Sequence, residues 1–405
     1  MSYFRAFIIP FGDDGEYGDE IEVTTDVSFD SIGKISQKVD NSEYDVGILT
    51  YNDFTLKLRN EHGFYSKAGE PASIFNIKRN DSIFKVKWQV EPEGCICGMF
   101  KAGRKKLSLT LDVYEGFIKD IAVEENVNDQ NVVLKVLSLE SILSQVDVPV
   151  TVATGDTMEE TLFKILNQTI LTDLFEIDTA NWTLGVDLEL DDAAPLLTMT
   201  GKEALDELLL LSNSILFIKE RVLIITARIV TTDLKFEFYG PSSIIGLENI
   251  QDISNINTGI SRAFNFWTWN GSNFKVVNSS SIATFGVRKK EITSDIVTNT
   301  VKRQTIAAAL AAEFGDPRDT LKITTPMNYD TRPLFFLDKI KVDFPTIYKV
   351  ADGETLPIYG ASFYGEAVYP KRESFLTIDY ERNFKIMGVG VDVKNNLIEF
   401  EIREA

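Results

Sequence analysis

Seven carboxylates crowd a stretch that holds no basic residue. Asp173, Glu176, Asp178, Asp187, Glu189, Asp191 and Asp192 all lie between Lys164 and Lys202. On a strand, Asp187, Glu189 and Asp191 share one side and Asp192 follows, an arrangement of oxygen ligands that suits a hard cation such as calcium. The EF-hand pattern of ligands around a fixed glycine is missing. Two carboxylates also suit glycoside hydrolysis, one as acid and one as base or nucleophile. Against both stands the ordinary fate of a like-charged run, a solvated acidic face. The pattern favours that last reading: no metal and no cofactor is expected, and these four carboxylates are the metal candidates to check.

Aromatic side chains offer a second chemistry. Phe264-Asn-Phe-Trp-Thr-Trp269 largely alternates, as do Phe236 and Phe238, and rings on one side of a strand make a platform for stacking a sugar. Trp267 is its centre. Sheet core or a subunit interface is the commoner reason for such a row. Nucleophilic catalysis hangs on the single histidine, His62, which sits in the polar loop Arg59-Asn-Glu-His-Gly63 without the spacing of a nucleophile elbow. Cys95 and Cys97 are the whole thiol inventory, too few with one histidine for a structural zinc site. Neither a phosphate-binding P-loop nor a GxGxxG turn occurs. The chain is not expected to be an enzyme.

The elements that must carry these residues are mostly strands. Phe54–Arg59, Phe84–Val90 and Leu107–Leu111 alternate apolar and polar residues, the mark of a sheet wet on one face. Tyr114–Ile121 and Val132–Leu137 follow, joined by a polar hairpin at 124–130, and Ser138–Leu143 offers a helical turn. The pattern changes near Pro149. Capping boxes at Thr157–Glu160 and Thr200–Glu203 each open a helix, and two strands, Ile215–Ile218 and Val222–Thr226, flank a short turn. Strands return after residue 230, with one helix at about 301–314 stopped by Gly315, which suits a left-handed cap, and by Pro317. Phe335–Val342 reads as a strand, and a closing hairpin runs from Phe384 to Ile402. The Gly-, Pro- and Tyr-rich loop 351–380 reads as an excursion. The expected fold is α+β, mainly β: strand-rich domains at 1–150 and 231–405 with an α+β insert at 151–230.

Charge narrows the function. With 41 Lys+Arg against 61 Asp+Glu in 405 residues, the net charge is −20. Such a chain repels nucleic acid and anionic lipid, which argues against DNA binding or a membrane-surface role. Neither a secretory signal nor an apolar run of membrane-spanning length is found; the leucine-rich 205–225 stretch is broken by charges and reads as buried core.

The order of elements, more than any residue, carries a resemblance. Tyr114–Ile121, Val132–Ile142, the helix-and-hairpin at Gly201–Arg228, Asn278-Ser-Ser-Ser-Ile-Ala-Thr-Phe-Gly-Val-Arg288, the helix ending in Gly315-Asp-Pro-Arg318, and Leu337–Val342 follow in sequence. Together they resemble the bacteriophage tail hub, the baseplate hub and late control D-type family. The Ser-Ile-Ala-x-Phe-Gly-x-Arg run before an alanine-rich helix is the most specific part. The resemblance implies two β-barrel-like tube domains per subunit and a homotrimer forming a pseudo-sixfold ring. That ring joins the sixfold tail tube or distal tail protein to a threefold tail tip, spike or fibre protein. A tape-measure protein is a further implied neighbour. It also implies a virion protein made in the host cytoplasm, without catalytic residues or membrane anchor, through whose lumen DNA passes without specific binding. The alternative is a carbohydrate-binding or carbohydrate-processing tail protein using the aromatic strand and the Asp187–Asp192 cluster.

Overall fold

The computed structural model describes residues 2–11, 17–41, 46–60, 65, 82–90, 109–126, 129–228, 233–239, 250–257, 263–271, 275–328, 330–343 and 382–405. His62, Cys95, Cys97 and the 351–380 loop lie outside the described residues.

Alternation in the sequence becomes burial in the fold. Phe54, Leu56 and Leu58 are buried while Thr55, Lys57 and Arg59 face solvent, and this strand pairs antiparallel with Asp129–Ser138. It is the edge of a six-stranded antiparallel sheet ordered Ile21–Glu22, Ser2–Ile9, Ile83–Val90, Leu109–Asn126, Asp129–Ser138, Phe54–Arg59. The two expected strands at 107–111 and 114–121 belong to one strand of 18 residues, Leu109–Asn126. Register shifts at Val86/Lys87 and Ile118/Asp120 let so long a strand bend. Gly116 sits between those bulges because a Cβ there would overlap the Leu137 carbonyl and the Tyr114 phenol.

The second sheet, of eleven strands among the described residues, draws on every part of the chain. Lys34–Asn41 and Val46–Tyr51 come from the first 150 residues, and Ser214–Lys219 and Val222–Ala227 from the insert. The joint is a parallel pairing, Ile215↔Gly47 and Leu216↔Ile48. Val222–Ala227 therefore pairs within its own subunit, antiparallel to Ser214–Lys219. Glu220 and Arg221, at φ 51° and 63°, form the tight turn between them. The closing hairpin, Arg382–Asp392 with Leu397–Glu404, lies mid-sheet. The fold is thus mostly β with curled sheets, one a half-barrel. A third sheet of three strands orders Lys275–Val277, Phe266–Trp269, Lys289–Ile292.

Both capping boxes form. Thr157 Oγ1 accepts from Glu160 N at 3.1 Å and Glu160 Oε2 from Thr157 N at 2.9 Å, opening the helix Met158–Leu166. Thr200 and Glu203 repeat this for Gly201–Leu211. The helix Thr300–Phe314 is capped by Asn299, whose side chain accepts from Val301 N and Lys302 N. Two expectations need correction. Gly315 keeps a right-handed φ of −65° and does not form a left-handed cap. Glycine is required there because a Cβ would overlap the Ala311 carbonyl. The strand expected from Phe335 begins only at Lys339, since Leu337 takes φ 67° in a turn closed by Phe335 N donating to Asp338 Oδ2 at 2.7 Å.

Two large cores result. One unites the insert helices and hairpin with Trp267, Trp269, Ile292 and the inner face of Thr300–Phe314. The other fills the space between the six-stranded sheet and the C-terminal strands. Among the described residues no helix is long and apolar enough to cross a membrane.

Candidate functional site

Residues 187–192 form an extended loop, touched by isolated bridges such as Thr157↔Glu189, and not the regular strand that the spacing suggested. Its carboxylates consequently diverge. Asp187 Oδ1 accepts from Glu159 N at 3.1 Å and so serves the first turn of Met158–Leu166. Asp191 serves a different helix: Oδ2 accepts from Thr298 N at 2.8 Å and Asn299 N at 2.6 Å, while Lys302 Nζ donates to Oδ1 at 2.7 Å. Burial pushes the Asp191 carboxyl up, but Lys302 and the two backbone N–H groups outweigh it and hold the group below the usual carboxylate range. Asp192 turns back on its own loop, accepting from Ala194 N at 2.9 Å. Glu189 projects into solvent with its oxygen 3.9 Å from Lys302 Nζ. Protein donors already occupy one oxygen each of Asp187 and Asp192 and both of Asp191, and among the described residues no three His, Cys, Asp or Glu side chains gather as a metal cage.

The aromatic strand is equally committed. Trp267 and Trp269 are both 0% exposed, so neither presents a face to a sugar. Their indole N–H groups donate to the Phe264 carbonyl at 2.7 Å and the Ser294 carbonyl at 2.9 Å. The row is sheet core, and the stacking platform is overturned by its burial.

What sequence reasoning missed is a buried ion cluster around Glu313, on the last turn of Thr300–Phe314. Lys385 Nζ donates to its Oε1, and Arg228 and Arg318 nitrogens lie at 3.5 Å and that of Arg403 at 3.9 Å. Lys385, Arg228 and Arg403 are almost wholly buried, and both arginines stack over the Phe314 ring at 4.5 and 5.0 Å. Burial pushes the Glu313 carboxyl up, but Arg228, Lys385 and Arg318 bring it below its ordinary value. Lys385 is pushed down to about 7, first by burial and then by Arg228, against the pull of Glu313. The cluster ties one helix to the ends of three strands. Its signal is a matter of register: Lys385 stands opposite Arg403 in the closing hairpin. Two cations face to face on a buried side require an anion from elsewhere.

A cavity of about 200 Å³ separates the two large sheets. Gln37, Tyr51, Tyr114, Glu140 and Arg332 line it, and the Arg221–Glu115 pair, 3.0 Å apart, stands at its rim. Burial pushes the Tyr51 phenol up to about 12, which keeps it protonated.

No family model and no curated protein matches the sequence. Solved structures do. Over 99% of this chain and 97% of the other, the fold superposes on the tail protein from Neisseria meningitidis MC58 with a TM-score of 0.58 at 12% identity. The 43 kDa tail protein of prophage MuSo2 from Shewanella oneidensis matches over 99% and 98%, with a TM-score of 0.54 at 11% identity. This chain has the fold of phage tail proteins. The Francisella PdpA–VgrG complex contains a similar chain: all of this one aligns to 53% of that one, with a TM-score of 0.52 at 11% identity.

The tail-protein fold gives the site residues their context. Asp187 and Asp191 secure two helices to one loop, the tryptophans fill the core beneath, and Glu313 pins the far end of the second helix.

Proposed function

We propose that the protein is a structural tail hub: a homotrimeric ring joining a sixfold tail tube to a threefold tip or spike, with DNA passing through its lumen. The observation that carries this reading is the end-to-end match to tail proteins, which covers nearly the whole of both chains. In this reading residues 1–150 and 231–405 supply two β-barrel-like tube domains, and 151–230 is the insert between them. The site lies in the virion tail, and its work is assembly, not catalysis. A lumen of acidic or neutral character follows from the cargo, because a basic wall would hold DNA by counterion release. A hub of a related injection system is the neighbouring reading, favoured by the alignment of this whole chain to about half of a chain in the PdpA–VgrG complex.

The test is native mass together with imaging of tails. A trimer in solution, found in particles at the junction of tube and tip, is the expected result. A chain that stays monomeric, and that is missing from that junction, would overturn the reading.

A further inference from the structure

Between Asp147 and Glu203 the sequence places twelve carboxylates against two lysines, half of the net charge of −20 in 57 residues. Within that acidic surface three apolar side chains stand out in solvent: Val150 at 90%, Leu197 at 45% and Ile170 at 39% exposure. The segments bearing them are tied together. Gln168 Nε2 donates to the Asp147 carbonyl at 2.6 Å, Asp147 bridges Thr200, and Gly201 N donates to the Val146 carbonyl.

A second exposed apolar group has the opposite charge. Residues 275–290 carry Lys275, Arg288, Lys289 and Lys290 and no carboxylate. Val277, Phe285 and Val287 are exposed among them, Val287 at 66%. The two patches lie toward opposite ends of one helix. Asp191, Asp192 and the loop leading to Leu197 sit at the start of Thr300–Phe314, through Asp191 and Lys302. The basic segment sits at its end, where Ser281 Oγ donates to the Gly315 carbonyl at 2.6 Å. Fifteen helical residues separate those ends by about 22 Å.

We infer that these patches dock on each other between copies of this chain: the Val150–Ile170–Leu197 surface of one subunit receives the Val277–Phe285–Val287 surface of the next. Two different patches on one molecule make a head-to-tail contact, and such contacts close into rings when the rotation permits. Apolar side chains supply the buried centre, and the opposed charges steer the encounter and fix the register. Like patches repel, which disfavours a two-fold dimer on the same surfaces. The inference rests on the ring proposed above and names its seam.

Charge reversal of the full-length chain tests it, with mass read by light scattering and sedimentation. Asp147→Lys with Asp173→Lys, or Lys275→Glu with Lys289→Glu, all at exposed positions, should weaken association roughly tenfold or more. Lys275→Arg with Lys289→Arg, which keeps the charge, should associate like the wild type, which separates docking from misfolding. Reversed chains that associate like the wild type, or a charge-keeping chain as weak as the reversed ones, overturn the seam and leave the ring standing. A wild-type chain that is monomeric at every soluble concentration overturns both.

Discussion

Glu313 is placed so that Lys385, Arg228, Arg318 and Arg403 all converge on it. Removing one member of a buried ionic group costs far more than its pairing contributes, because the charges left behind stay desolvated. Glu313→Gln should therefore lower stability by about 3–5 kcal/mol, seen in thermal or denaturant unfolding. Lys385 adds a pH dependence whose sign is fixed. Its folded value of about 7 lies below the ordinary 10.5, so between those limits the unfolded chain holds a proton that the folded chain has lost. Stability then rises with pH across that window and falls as pH drops toward 7. Lys385→Met should flatten that slope, measured as unfolding free energy at a series of pH values. Asp191 belongs to the same scale. Asp191→Asn keeps the side-chain shape but drops the charge that faces Lys302 and two backbone donors. It should destabilise by about 1–3 kcal/mol. Calcium or a chelator should leave the wild-type melting temperature unchanged, and a calcium-dependent rise would revive the metal reading.

At the scale of elements, what was legible in the sequence is what local chemistry dictates. The Thr157–Glu160 and Thr200–Glu203 boxes announce two helices because the same four residues both cap and are capped. Phe54–Arg59 reads as a strand because its alternation is its burial. What stayed hidden depends on distant partners. The Asp187–Asp192 loop alternates like a strand, yet it meets its neighbours only through isolated bonds, such as the Thr157↔Glu189 bridge and Asp191 N donating to the Ile296 carbonyl, so Asp187 and Asp191 turn to two helices. The indoles of Trp267 and Trp269 look like a platform until the Thr300–Phe314 helix and the insert close over them. Glu313 announces nothing without the register that sets Lys385 against Arg403. The capping boxes also allow a graded prediction. Thr200→Ala removes one capping acceptor and should cost about 1 kcal/mol. Gly201→Ala should cost more, since its Cβ would overlap the Val146 carbonyl that receives the Gly201 N–H. Urea unfolding of both variants, with Thr200→Ala the milder, checks the ranking; the reverse order would mean that the loop at Val146 yields easily.

For the whole molecule, the net charge of −20 matters through its distribution. An even spread would keep the protein soluble and away from DNA, and nothing more. Instead half of it lies between Asp147 and Glu203, while every charged residue of 275–290 is basic. A seam joining these surfaces has a distinctive response to salt. The screening length falls from about 10 Å at 0.1 M to about 3 Å at 1 M, so attraction between exposed patches fades over that range. A purely apolar seam does the opposite or nothing, since it has no charge to screen. The association of purified protein should therefore weaken as sodium chloride rises from 0.1 to 1 M, followed by sedimentation, and the Lys275→Glu, Lys289→Glu chain should show a shallower slope. A ring that tightens with salt would leave the acidic half of the charge without a partner in the subunit contact. The insert carboxylates would then be the natural candidates for the wall that lets DNA slide past, and a map of the assembled tail would have to find them in the lumen.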